Sequence, residues 1–166
     1  EDGHEFRFQV NYLSTFLLTH MLMPRLRSSV PSRIVNVSSL AQSPIDFEDV
    51  MIENNFSGGR AYGQSKLAQI MFTFDLAEEL EGADIMVNSL HPATYMPTGM
   101  VLRAGARPRA TIDEGADAVM QLVVSEEIEG GQFFRGLVPA RANAQAYDMQ
   151  ARAKLKALSQ ELTGIR

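Results

Sequence analysis

The 166-residue sequence contains no cysteine. That excludes a disulfide framework, a thiolate metal site and a cysteine nucleophile. It has no apolar run near the roughly 18 residues of a membrane span, and Glu1-Asp2-Gly3-His4-Glu5 has none of the features of a signal peptide. No basic run is longer than Arg103 to Arg109, and the net charge is −5. Nucleic acid and anionic membranes are therefore not the expected partners. These absences leave a cytoplasmic location as the default.

What is present is ordinary for a soluble domain: 45% apolar and 21% charged residues. The length predicts one domain, large enough to bury a core. The nine methionines sit mostly in apolar stretches and read as core filler. Apolar spacing over Phe6, Val10, Leu13, Leu17, Met21 and Leu22 predicts a helix over residues 2 to 27, kinked or ended at Pro24. Asn11 falls inside it, where asparagine is a poor helix former and either faces solvent or has a role.

Residues 33 to 38, Arg-Ile-Val-Asn-Val-Ser, read as a strand, nearly continuous in apolar character and so suited to a parallel sheet covered on both faces. Residues 40 to 60 read as a long loop. A helix through about Leu80 follows, then a strand at 84 to 90 and a loop-like stretch from His91-Pro92 to Pro108. A loop of that length is expected to be a lid or binding segment. Thr111-Ile112-Asp113-Glu114 has the spacing of a capping box opening a helix to Val124. A weak strand at 132 to 138, broken by Gly136, and a helix from about Asn143 to Leu162 complete the chain, with Gly164 as C-cap. Alternating helices and strands imply βαβ units and a parallel sheet. The chain opens on a helix, however, and no strand is followed by the glycine-rich turn G-x-G-x-x-G.

The chemistry is concentrated at Tyr62-Gly63-Gln64-Ser65-Lys66. Four residues apart on a helix, Tyr62 and Lys66 share a face. An ammonium beside a phenol favours the phenolate, which makes the tyrosine a usable general acid or base. The bland alternative is a surface Tyr–Lys pair on an amphipathic helix. Ser38 and Ser39 sit at the carboxyl end of the first strand, where open α/β sheets place their binding crevice.

Asn11, Ile34-Val35-Asn36-Val37-Ser38-Ser39, Tyr62-Gly63-Gln64-Ser65-Lys66 and Val87-Asn88-Ser89-Leu90-His91-Pro92 occur in this order. Together they resemble the short-chain dehydrogenase/reductases, and most of all their retinol-dehydrogenase-like branch. The resemblance covers residues 1–166 but maps to the C-terminal part of such an enzyme. It implies an α/β, Rossmann-type doubly wound parallel sheet, of which this chain supplies the later strands and helices while the cofactor-binding first half is absent. The implied activity is alcohol–carbonyl interconversion with NAD or NADP on a small hydrophobic alcohol, aldehyde or ketone. The implied roles are Tyr62 as acid/base, Lys66 as its partner and a ribose ligand, Ser39 as donor to the substrate oxygen, and Asn11 as holder of a relay water. Pro92 and Ala93 would back the nicotinamide, and Thr98 would reach its carboxamide. Relatives pair through helices corresponding to 4–27 and 61–80, so a homo-oligomer is possible. The alternative is a truncated, non-catalytic binding or interaction module. On either reading the Ile34–Val37 strand is expected at an exposed apolar edge.

Overall fold

The computed structural model describes residues 2–165. Its four-stranded sheet has the order β1 (Ser32–Val37), β2 (Ile85–His91), β3 (Phe133–Arg135), β4 (Val138–Pro139). The first three strands run parallel, and β4 returns antiparallel to β3. The segment read as one weak strand at 132 to 138 is therefore a hairpin. Gly136, at φ 58°, adopts the left-handed conformation that lets the chain reverse there. The sheet is the α/β arrangement expected, and β1 is its edge strand, with Val37 45% exposed.

Helix α2 (Gly58–Glu79) connects β1 to β2 and is buried almost all round. It is flanked by the N-terminal helical segment and by α5 (Met149–Thr163). The other face is covered by α4 (Ile112–Val124), packed on Leu90 and Phe134 through Ala118 and Leu122. The capping box at Thr111 and Glu114 forms as its spacing predicts, and Gly164 closes α5 at φ 70°. A short helix, α3 (Gly99–Arg103), lies in the stretch expected to be loop throughout. The last helix begins later than expected. A 3₁₀ turn at Ala144–Tyr147 precedes α5, whose start is fixed by the Asp148 carboxylate accepting from the backbone N–H groups of Gln150 and Ala151.

The N-terminal helix departs most from expectation. Residues Phe8–Leu13 form a π-helical segment that runs into α1 (Ser14–Arg27), and Pro24 lies inside α1 rather than ending it. The wider π turn rotates the side chains that follow. Phe8, Tyr12, Leu13 and Phe16 are buried, while Phe6, Val10, Met21 and Leu22, expected on the core stripe, face outward. The aromatic rows take the core because large rings bury more area. Tyr12, Phe16 and Phe72 pack edge-to-face or tilted, with centroids 5.2 to 6.4 Å apart. The methionines are core filler only in part: Met71 is buried and Met23 and Met51 pack against the core, but Met21, Met100, Met120 and Met149 are more than half exposed.

Polar ties fix α5 across the others. Arg152, 5% exposed, donates from Nε to Asp75 Oδ1 at 2.6 Å and faces Glu78 with Nη2 at 2.9 Å. Tyr12 and Ser159 share a hydroxyl hydrogen bond of 2.6 Å. Burial raises the Tyr12 phenol well above its ordinary range and also raises the Asp75 carboxyl. Among the described residues no helix is long and apolar enough to cross a membrane.

Candidate active site

Between Ala61 and Phe74 every residue of α2 is buried except Tyr62 and Lys66. A helix packed on all sides thus opens at two side chains one turn apart. This is not the surface pair of an amphipathic helix. The turn between them is held tightly. A Cβ on Gly63 would stand 2.9 Å from the backbone nitrogen of Ser43, so only glycine lets the 40–45 loop lie against the helix.

Lys66 Nζ donates to the Val37 carbonyl and to Gln69 Oε1, each at 2.9 Å. It stands 5.8 Å from the centroid of the Tyr62 ring. Burial lowers its pKa from the ordinary 10.5 to about 8, because desolvation disfavours the ammonium. The helix is pinned to the strand exit a second time: Ser38 Oγ donates to the Lys66 carbonyl at 2.7 Å. Ser38 is thereby spent on structure. Ser39, 7% exposed, accepts from the Ala41 N–H at 3.1 Å.

The π-helical segment delivers Asn11 to the same helix. Its Nδ2 donates to Ser65 Oγ at 2.9 Å, and Ser65 Oγ donates to the Tyr62 carbonyl at 2.8 Å. The Asn11 side chain is therefore engaged with α2 rather than with solvent, while its carbonyl accepts from Thr15 Oγ1 at 2.9 Å. Such π turns are frequent at functional sites, since they free or re-aim backbone groups.

The second strand ends beside the first. Val37 and Leu90 are in register, and the Ser38 N–H donates to the Leu90 carbonyl at 2.7 Å. The Ser38–Ser39 turn and the His91–Pro92 exit thus leave the sheet as neighbours. Pro92 and Ala93 are half-buried. His91 Nε2 is 3.0 Å from Thr94 Oγ1, and burial, then the nearby Arg135, lowers its pKa. Thr98 caps α3 without a side-chain bond. Among the described residues no hydrogen bond joins Ser39, Pro92, Ala93 or Thr98 to Tyr62 or Lys66. The structure brings Asn11, from the π-helical segment, against the α2 turn that carries Tyr62 and Lys66. It sets Ser39, Pro92 and Ala93 at the adjoining strand exits, and places Thr98 further on, at the start of α3.

Ser65, Gln69 and Thr15 escape a reading of the sequence. The available signal is polarity at i+3 and i+7 of Lys66 (Gln69 and Thr73), within the apolar run from Leu67 to Phe74. A cleft of about 860 Å³ opens at the opposite, amino end of β2, lined by residues such as Phe74, Glu81, Met86 and Glu129. It shares no residue with the Tyr62–Lys66 site.

The short chain dehydrogenase profile matches residues 2–108. The sequence is 37% identical to mouse retinol dehydrogenase 14 and 36% identical to human retinol dehydrogenase 11. Both alignments cover 99% of this chain, with 54% and 55% of the respective relative. The chain thus spans about half the length of the curated relatives it matches. Among solved structures, an uncharacterized protein from Mycobacterium paratuberculosis superposes with a TM-score of 0.74 at 30% identity. That match covers 98% of this chain and 60% of the other. The NADPH-bound carbonyl reductase from chicken fatty liver shares the fold, with a TM-score of 0.62 at 23% identity over 82% of this chain and 53% of its own. With the profile spanning well over half of its residues, the chain belongs to the short-chain dehydrogenase family of oxidoreductases.

Proposed function

We propose that residues 1–166 are the C-terminal part of a single Rossmann-type domain that interconverts a hydrophobic alcohol with its aldehyde or ketone using NAD or NADP. The observation that carries this reading is the opening of an otherwise buried helix at Tyr62 and Lys66 alone, with the Lys66 ammonium fixed against the carboxyl end of β1. Similarity to two retinol dehydrogenases over 99% of the chain supports the hydrophobic substrate class.

The residues present fit the nicotinamide end of such a cofactor. Lys66 spends two of its three N–H donors on Val37 and Gln69, which leaves one for a ribose hydroxyl. Pro92 and Ala93 flank the exit of β2, where the ring would rest, with Thr98 further along the same segment. When bound, the cofactor supplies or accepts the hydride. This chain's residues handle the proton and the oxygen. Tyr62 gives its phenolic proton to the oxygen that gains negative charge as a carbonyl is reduced, and takes it back in the oxidative direction. Ser39 donates a hydrogen bond to that oxygen. Lys66 stabilises the phenolate left on Tyr62, and Asn11 holds the start of a path by which protons return from solvent. The apolar side chains Met96, Met100, Val101 and Leu102 offer a hydrophobic wall for the substrate. Self-association through the helices at 4–27 and 61–80 belongs to the same reading, and the outward Phe6, Val10 and Met21 are the side chains it would cover.

The test is cofactor consumption by the full-length protein against a panel of hydrophobic aldehydes and ketones, repeated with Tyr62→Phe. Loss of a proton donor typically costs about 10²–10⁴-fold in rate. The variant should lose turnover while binding the cofactor as before, because the hydroxyl contributes little binding surface. A variant retaining more than about a tenth of the rate sinks the acid/base assignment.

A further inference from the structure

The Lys66 ammonium is held without a counter-charge. Among the described residues no carboxylate lies within ion-pair distance of it. Its two partners, the Val37 carbonyl and the Gln69 amide oxygen, are neutral. Gln69 is 6% exposed and lies one turn beyond Lys66 on the same helix, close enough to meet it at i+3. The turn carrying Gln69 is tied back to β1: Thr73 Oγ1 donates to the Gln69 carbonyl at 2.8 Å and accepts from Asn36 Nδ2 at 2.8 Å. Asn36 is one residue before Val37, the source of the other acceptor. Strand and helix therefore form one rigid cradle around Nζ.

We infer that Gln69 is a positioning residue for Lys66, whose neutral amide, together with the Val37 carbonyl, holds the ammonium at the carboxyl end of β1 without cancelling its charge. The inference rests on the Tyr62–Lys66 reading above for its catalytic consequence, but not for the cradle itself. A carboxylate at position 69 would hold Nζ in the same place and neutralise it, and an aliphatic side chain would release it. Burial already lowers the Lys66 pKa to about 8, so the loss of one of two acceptors moves the charge state within the range where enzymes work.

The experiment is an NMR titration of lysine side chains in the full-length protein, with Lys66 assigned by its disappearance in Lys66→Met. Lys154 and Lys156 on α5 act as internal controls. Gln69→Leu should lower the Lys66 midpoint by roughly half a unit or more, and Gln69→Glu should raise it by about a unit, with both control lysines unmoved. In turnover, Gln69→Leu should lose rate above pH 8 and recover below pH 7, where the ammonium is charged in both proteins. Gln69→Glu should shift the pH–rate profile upward even though the protein folds and Nζ stays in place. A Lys66 midpoint unchanged in both variants overturns the positioning role. Should Tyr62→Phe retain full turnover while the Gln69 variants still move Lys66, the catalytic reading fails and the cradle stands.

Discussion

One face of the sheet carries a buried cluster that runs from Phe8 in the π-helical segment, through Leu67, Ile70 and Met71 of α2, to Leu155 of α5. The other is covered by α4 alone, over Leu90, Ala118, Leu122 and Phe134, with Val35, Val119 and Ile128 partly buried at its margin. Tyr62, Lys66 and Asn11 all belong to the first face. Their geometry is thus set by the part of the molecule whose packing is most complete, where side chains cannot relax without moving several neighbours. The second face ends at the open edge of β1, with Val37 nearly half exposed. The contrast matches a chain that spans about half the length of its relatives. The face that carries Tyr62, Lys66 and Asn11 is packed from within, whereas β1 leaves its outer flank open.

The sharpest way to break this comparison is to cut equal holes in both faces. Leu67 and Leu122 are each buried to within 1%. Leucine-to-alanine truncation costs about 2–5 kcal/mol, more where the surroundings cannot collapse into the cavity. Leu67→Ala should fall near the top of that range and Leu122→Ala near the bottom, as read by denaturant unfolding. Equal costs would mean that the α4 face is as rigid as the α2 face.

Gly63→Ala comes next. It forces a methyl group against the Ser43 backbone, an overpacking that typically costs about 1–3 kcal/mol. Its effect should concentrate on the 40–45 loop and the neighbouring Ser39 turn. Crystallography or amide exchange of the variant would reveal a displaced loop with α4 unchanged. An undisturbed loop would show that the close approach at Gly63 is not needed.

How much of this was legible in the sequence depends on the same contrast. Strands β1 and β2, the capped helix α4 and the Tyr62–Lys66 pair could all be read, since each carries a local signal: a β-branched run, a capping box, a fixed spacing. The N-terminal helix could not be oriented. It has apolar residues on two sides, and the π turn at Phe8–Leu13 decides which side is buried. Ser65 and Gln69 were invisible as partners for a different reason. In a helix buried all round, periodicity no longer separates a core face from a solvent face, so a polar residue gives no direction. The β3–β4 hairpin was missed because Gly136 reads equally well as a break in one strand.

A smaller effect tests whether Lys66 charges at a cost to the packed face. Its folded pKa, about 8, lies below the ordinary 10.5. Below pH 8 the lysine is charged in folded and unfolded chains alike, and the burial penalty is fully present. Between about 8 and 10.5 the unfolded chain binds a proton that the folded one does not, so stability rises with pH. Relative to Lys66→Met, the wild type should therefore gain stability across that window and run parallel to it below. Partial exposure of the side chain keeps the gain below that of a core truncation. A difference that is flat from pH 7 to 10.5 would place the ammonium in a more solvated position than its two neutral partners imply.

The smallest predicted effect isolates the sparse face. Helix α4 begins with Thr111 Oγ1 accepting from the Glu114 N–H at 3.1 Å, while Glu114 Oε2 accepts from the Thr111 N–H at 2.6 Å. Both groups are exposed, so Thr111→Ala removes a cap without opening a cavity. Such a loss costs about 1 kcal/mol, or roughly a five-fold change in a local opening equilibrium. Because the apolar cluster that seats α4 is small and its other ties, from Arg33 and Gln121, lie near its far end, that opening should remain local: faster amide exchange in its first turn, with α2 and α5 unchanged. Thr111→Ser should restore protection, since its hydroxyl can accept the same bond. If instead the amides around Tyr62 and Lys66 lose protection in step with α4, the two faces unfold as one unit. The independence argued for the site-bearing face would then be wrong.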